Sequence, residues 1–339
     1  MDSSDLHAEA ARQTMGWRFA SSEDRDAIIG MITDQAEASS LRLTPPELAS
    51  SPDPFRREDG SSVFRPKAST VYSSEQVLAA EDRLIAAAET RTARGVLLSF
   101  IEDAARGTRR QHALTADQEQ AIAQVAVSNR VLDVLVGPAG AGKTTAMSAL
   151  RRAWERQHGR GSVIGLAPSA AAAEVLAGDL GISTENTAKW LYEHRHGAWS
   201  LTARQLVIID EASMAGTLSL DAITRHAAEA GAQVLLVGDW AQLSAVETGG
   251  AFGLLVSARE PAPELTDVRR FRNEWEKGAS LGLRIGDTDV IDTYLAQDRV
   301  HDGGYDDVLD SAYRAWQADP RACLQRLSVG VAECGPRES

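Results

Sequence analysis

Between residues 114 and 256, short apolar runs alternate with longer stretches of helical period. The runs VLDVLV (131–136), SVIGLA (162–167), LVIID (206–210) and VLLVGD (234–239) have the length and β-branched content of strands. That alternation predicts an α/β core with a parallel sheet and flanking crossover helices. Upstream, Val77, Leu78, Leu84, Ile85, Val96, Leu97 and Ile101 recur at helical spacing around a break at Gly95, which predicts a small helical subdomain. Residues 1 to about 40 mix helical stretches with Ser and Asp, and Pro45, Pro46, Pro52, Pro54 and Pro66 interrupt regular structure after them. The expected organisation is a leader and Pro-rich connector (1–73), the helical subdomain (74–112), the α/β domain (113–260), the start of an incomplete second domain with helices near 274–297 and 305–318 (261–319), and a tail of unassigned role (320–339).

Composition narrows the class. With 339 residues the chain is long enough for about two domains, and 43% hydrophobic with 24% charged residues is ordinary for a globular protein. The formal net charge of −13 argues against a uniformly basic nucleic-acid binder, though not against a locally basic groove. Cys323 and Cys334 lack zinc-site spacing, and the chain has neither a signal-peptide pattern at its start nor an apolar run near the length of a bilayer span. A cytoplasmic protein without membrane insertion is expected. His194 and His196 form the close histidine pair, read as surface residues because no third ligand accompanies them.

The chemistry concentrates at strand ends. Gly137-Pro138-Ala139-Gly140-Ala141-Gly142-Lys143-Thr144, with Thr145 beyond, matches the phosphate-loop pattern and lies between a predicted strand and a predicted helix. The glycines let main-chain N–H groups wrap phosphates, Lys143 supplies a point charge, and the Thr144 hydroxyl can ligate Mg²⁺. These features predict binding of ATP with Mg²⁺. Asp210 and Glu211 follow the third strand, where Asp210 would hold Mg²⁺ and Glu211 would activate water; an acidic helix cap is the alternative. Gln242 follows the fourth strand and is a candidate γ-phosphate sensor.

Taken in order, Leu114-Thr115-Ala116-Asp117-Gln118, GPAGAGKTT, LAPSAAAAEVL, IIDEASM and GDWAQL resemble the motifs of RecD-like superfamily 1 helicases. Arg269-Arg270-Phe271 followed by Trp275-Glu276 is similar to the helicase part of MobF-type conjugative relaxases. The resemblance spans roughly 60–300 and implies a RecA-like P-loop ATPase acting on single-stranded DNA, with conjugative transfer proteins as possible partners. It implies that Gln118 reads adenine, that Pro168, Ser169 and Thr187 contact DNA, and that Arg270 reaches the γ-phosphate. Ser169 also suits a plain helix cap, and the Arg269–Arg272 cluster a solvated basic face. The motifs of a second RecA-like half and of a nicking domain are not found, so the resemblance leads us to expect a truncated helicase module without nicking activity. The alternative is a nucleotide-binding regulator without efficient turnover; the signatures of GTPases and transporter ATPases do not occur.

Overall fold

The computed structural model describes residues 2–44, 51–57, 62–64, 70–107, 113–242, 250–269, 271, 273–300 and 303–318. Pro45, Pro46, Pro66, Arg270, Arg272 and the expected tail lie outside the described residues. The chain divides into two compact units, Met1–Arg270 and Phe271–Ser339.

The leader begins with two helices, α1 (Ser3–Gln13) and α2 (Ser22–Ser39), packed on one another. Asp2 and Asp5 start α1 with a reciprocal cap, in which each carboxylate accepts the other's main-chain N–H at 2.9 and 3.0 Å. The connector then leaves and returns through a two-stranded antiparallel pair, β1 (Leu41–Arg42) with β2 (Tyr72–Ser73). Next come α3 (Glu75–Glu89), α4 (Leu98–Ala105) and α5 (Ala116–Val127).

The central sheet is assembled from β3 (Leu132–Val136), α6 (Lys143–His158), β4 (Val163–Ala167), α7 (Ala170–Leu180), β5 (Ser183–Asn186), α8 (Thr187–Arg195), β6 (Leu206–Ile209), α9 (Thr217–Ala230), β7 (Gln233–Gly238) and α10 (Ala251–Ala258). Its order is β3-β7-β6-β4-β5, and every neighbouring pair is parallel. Successive side chains of a strand point to opposite faces. Leu132, Val134, Val207, Ile209, Val234 and Leu236 accordingly join one core, while Leu135, Leu206, Ile208, Leu235 and Val237 join the other. Both faces are covered, which is why these strands read as continuous apolar runs instead of alternating ones.

The helices expected to form a separate subdomain are built into these two cores. Leu84 and Ala88 of α3 enter the first, against α9 and α10; Val96 and Ile101, before and within α4, enter the second, with α4 packed on α6. Val77, Ala80, Leu84 and Ala88 of α3 and Ile101 and Ala105 of α4 are buried, an apolar stripe on each helix that a sheet face covers. Arg83 of α3 fixes the first contact by a two-pronged bond to the buried Asp221 of α9, at 2.9 and 2.8 Å. Trp154 of α6 is wholly buried and donates its indole N–H to Arg204 O at 2.9 Å.

The sheet domain also extends past residue 260. Val136 N–H donates to Pro263 O and Leu265 N–H to Val136 O, at 2.9 and 2.8 Å, so Glu264 forms a parallel bridge with Val136 on the free edge of β3. Leu265 is fully buried in the second core.

In the second unit α11 (Glu274–Arg284) packs on α12 (Val290–Ala296), with Trp275 edge-on to Tyr294 and Arg299 paired to Glu276 at 3.1 Å. α13 (Tyr305–Ala318) follows with no buried residue. Among the described residues no helix is long and apolar enough to cross a membrane.

Candidate nucleotide-binding site

The loop from Gly137 to Thr144 joins the carboxyl end of β3 to the start of α6. Gly140 and Gly142 have φ of 84° and 83°, a region that glycine enters without steric cost. A Cβ on Gly142 would lie 2.3 Å from the Gln118 side-chain nitrogen, and one on Gly137 2.9 Å from Lys143 Cγ. Glycine is therefore needed at 142 for conformation and for space. Gly137 N–H is anchored on Gly238 O at 3.0 Å, and the Lys143 ammonium donates to Gly137 O at 2.8 Å. Among the described residues the main-chain N–H groups of Gly140, Gly142 and Thr144 have no partner. Unpaired N–H groups around a lysine at a helix N-terminus are the donor set that a polyphosphate satisfies.

Gln118 supports this loop from beneath. It is buried; its amide oxygen accepts Thr115 N–H at 3.2 Å and its amide nitrogen donates to Ala141 O at 3.2 Å. Both ends of the amide are thus engaged in a helix cap and a loop strut. The segment after Glu264 closes the other side. Arg269 N–H donates to Gly140 O at 3.0 Å, and the Asp117 carboxylate accepts the N–H groups of Thr266 and Asp267 at 3.1 and 3.2 Å. A cleft of about 510 Å³ opens beside the loop, lined by Gln118, Gly140, Gly142, Thr144, Thr145, Ser148, Arg152, Asp179, Arg269 and Ala113.

The acidic pair stands two strands away, because β7 separates β3 from β6. Burial pushes the Asp210 carboxyl above the usual carboxylate range, against the opposing pull of the Glu211 N–H, 2.9 Å from Asp210 Oδ1, and of the Lys143 charge. A half-desolvated carboxylate with a hydroxyl such as Thr144 suits Mg²⁺, which takes few protein ligands and completes its shell with phosphate and water. Glu211 is exposed and has φ 53° and ψ 36°, an uncommon conformation for a residue with a side chain. Between loop and acidic pair, β7 delivers Asp239, buried and accepting Ala241 N–H at 3.2 Å, and then the exposed Gln242.

The residues matched to DNA contacts have local duties. The Ser169 hydroxyl accepts Ala172 N–H at 3.1 Å and caps α7; Pro168 before it is half-buried. Thr187 is buried in the first turn of α8, behind the cap made by Asn186 on Lys189 N–H at 2.8 Å. His194 does not pair with His196 in the way sequence proximity suggests: its ring stacks on Trp190 and lies 4.2 Å, centre to centre, from His226 of α9.

A parallel sheet presenting a glycine-rich loop, a polar turn and a half-buried carboxylate along one edge defines a RecA-like core of the phosphate-loop class. Residues 113–305 match the AAA domain family, and the chain belongs to that family, whose members are RecD-like helicases. It is 36% identical over 211 residues to the Sinorhizobium fredii protein named "Probable conjugal transfer protein TraA", covering 62% of this chain and 18% of the relative. It is 37% identical over 193 residues to the conjugal transfer protein TraA of Rhizobium radiobacter, covering 57% and 17%. The chain thus spans less than a fifth of the length of these curated relatives. The Pif1 helicase of Candida albicans overlays with a TM-score of 0.41 at 19% identity, over 57% of this chain and 49% of that one.

Proposed function

We propose that the chain is the ATP-binding and ATP-hydrolysing module of a RecD-like DNA helicase that serves conjugative transfer in the cytoplasm. The observation that carries this reading is the glycine loop with its unpartnered N–H groups, set at one sheet edge with Lys143 within electrostatic reach of the half-buried Asp210. In this reading the loop from Gly137 to Thr145 wraps the phosphates, and Lys143 leaves Gly137 O to meet the outer ones. Thr144 and Asp210 hold Mg²⁺, which when bound neutralises charge on the transferring phosphoryl group. Glu211 orients the attacking water and takes its proton, while Gln242 and Arg270 respond to the γ-phosphate. Single-stranded DNA crosses the edge formed by Pro168, Ser169 and Thr187, where Ser169 is the exposed member and Thr187 must act through the start of α8.

Steady-state ATP hydrolysis by the purified chain, with and without single-stranded DNA, tests the proposal beside Lys143→Ala and Glu211→Gln. The expected result is DNA-stimulated turnover lost in both variants. ATP binding without turnover in the unmodified chain would instead mark a nucleotide-binding regulator.

A further inference from the structure

The cleft holds two opposite charges that do not pair. Arg152 is half-buried on α6, with one guanidinium nitrogen 3.2 Å from Ser148 Oγ and another 3.1 Å from Ala104 O. Burial lowers its pKa from the usual arginine value and the neighbouring Arg151 adds to this. Among the described residues no carboxylate pairs with it. Asp179, on the last turn of α7, lines the same cleft, is exposed, and has no hydrogen-bond or ionic partner there. A half-desolvated cation without an anion is a costly arrangement, and a facing carboxylate that does not reach it leaves a gap between them.

Position fixes what the gap can take. Thr144, Ser148 and Arg152 recur every four residues and so lie on one face of α6, with Arg152 about 12 Å beyond Thr144 at 1.5 Å per residue. With phosphates seated on the loop at Thr144, the part of a nucleotide that extends away from them lies along this face. A guanidinium only donates hydrogen bonds and a carboxylate only accepts them. A nucleoside offers both complements, ring nitrogens that accept and hydroxyl or amino groups that donate.

We propose that Arg152 and Asp179 bind the nucleoside end of the nucleotide. The proposal rests on reading the glycine loop as a triphosphate site, and one comparison separates the two. Inorganic tripolyphosphate can occupy the loop but has no nucleoside, so calorimetric titration of the full chain with ATP and with tripolyphosphate isolates each end. Arg152→Gln is expected to weaken ATP binding roughly tenfold and leave tripolyphosphate binding unchanged. Asp179→Ala removes an exposed, unpartnered side chain and leaves folding intact, so it keeps the test open where Arg152→Gln unfolds. It should weaken ATP while leaving tripolyphosphate equal or slightly tighter, because a negative charge that repels an anion is removed from the cleft. Unchanged ATP affinity in Asp179→Ala, or equal losses for both ligands, overturns the assignment. Wild-type chain that binds neither ligand, or binds both as well after Lys143→Ala, overturns the triphosphate site itself.

Discussion

Glu211 occupies the left-handed region at φ 53° and ψ 36°, with its side chain in solvent. For a residue bearing a Cβ this costs about 1–2 kcal/mol. Glycine removes that cost but gives up about 0.5–1 kcal/mol through the greater freedom of the unfolded chain. The difference is a net gain of about 0.5–1 kcal/mol for Glu211→Gly. Alanine keeps the Cβ and loses the carboxylate, so Glu211→Ala isolates the effect of charge, and the gap between the two variants is the strain less the chain entropy that glycine gives up. In a unit of this size the gain corresponds to about 1–3 °C in melting temperature, readable by calorimetry or by the urea midpoint. Both variants are expected to lose ATP turnover, so glycine would give a more stable and less active protein. That outcome fits a strained conformation retained for its side chain. Glycine no more stable than alanine would refute the strain argument, and turnover surviving in both would refute the role given to Glu211.

Gly142→Ala brings a Cβ to 2.3 Å from the pinned Gln118 amide in a left-handed conformation, and a loss of about 2–4 kcal/mol is expected from strain plus the displaced hydrogen bonds. Adding Gln118→Ala should return only the steric share; a single variant as stable as wild type in urea would contradict the packing. Acid should also weaken the fold. Burial, and then His194, lowers the His226 pKa from its ordinary 6.5, with Glu229 opposing and Arg225 adding to the fall. The unfolded chain therefore takes up its proton first, and the stability from neutral His226 is complete above pH 6.5 and declines as pH drops below that towards the folded value. Urea midpoints across pH 5–7.5 should show this slope, reduced in His226→Gln; an identical slope in the variant would exclude His226 as its source.

The glycine loop was legible in sequence because its residues serve backbone geometry and charge at fixed spacing, which tertiary context does not alter. The same holds for strands buried on both faces, whose apolar runs are unambiguous. β5 escaped notice because Ser183-Thr184-Glu185-Asn186 is a polar edge strand, half-exposed and carrying no apolar signal. The packing of α3 and α4 was hidden for another reason: periodicity tells that a helix buries a stripe, not against what. Spacing along the chain equally could not order the strand ends: β7, which follows the acidic pair in sequence, lies between the pair's strand β6 and the loop's strand β3. His226 lies 32 positions from the His194 it faces, beyond the reach of any local pattern.

Gln118 and Ser169 illustrate how far a motif can be read as chemistry. Each sits where the family resemblance assigns a ligand contact, and each already has a structural task, Gln118 as strut between α5 and the loop, Ser169 as cap of α7. The two uses are compatible only where the side chain keeps spare bonding capacity. An amide nitrogen carries two hydrogens, so Gln118 can hold Ala141 O and still offer a second donor towards the cleft it lines. The Ser169 hydroxyl accepts from Ala172 and retains its own proton to donate. The loop follows the same logic on a larger scale. Gln118 and the Arg269 N–H grip its carbonyls, which a phosphate cannot use, Gly238 O holds its first N–H, and Gly140, Gly142 and Thr144 N–H are left unpaired. Fixing the loop through one set of groups while sparing the other places its ordering cost in folding instead of in binding, which is what preorganisation means for the phosphate site proposed here.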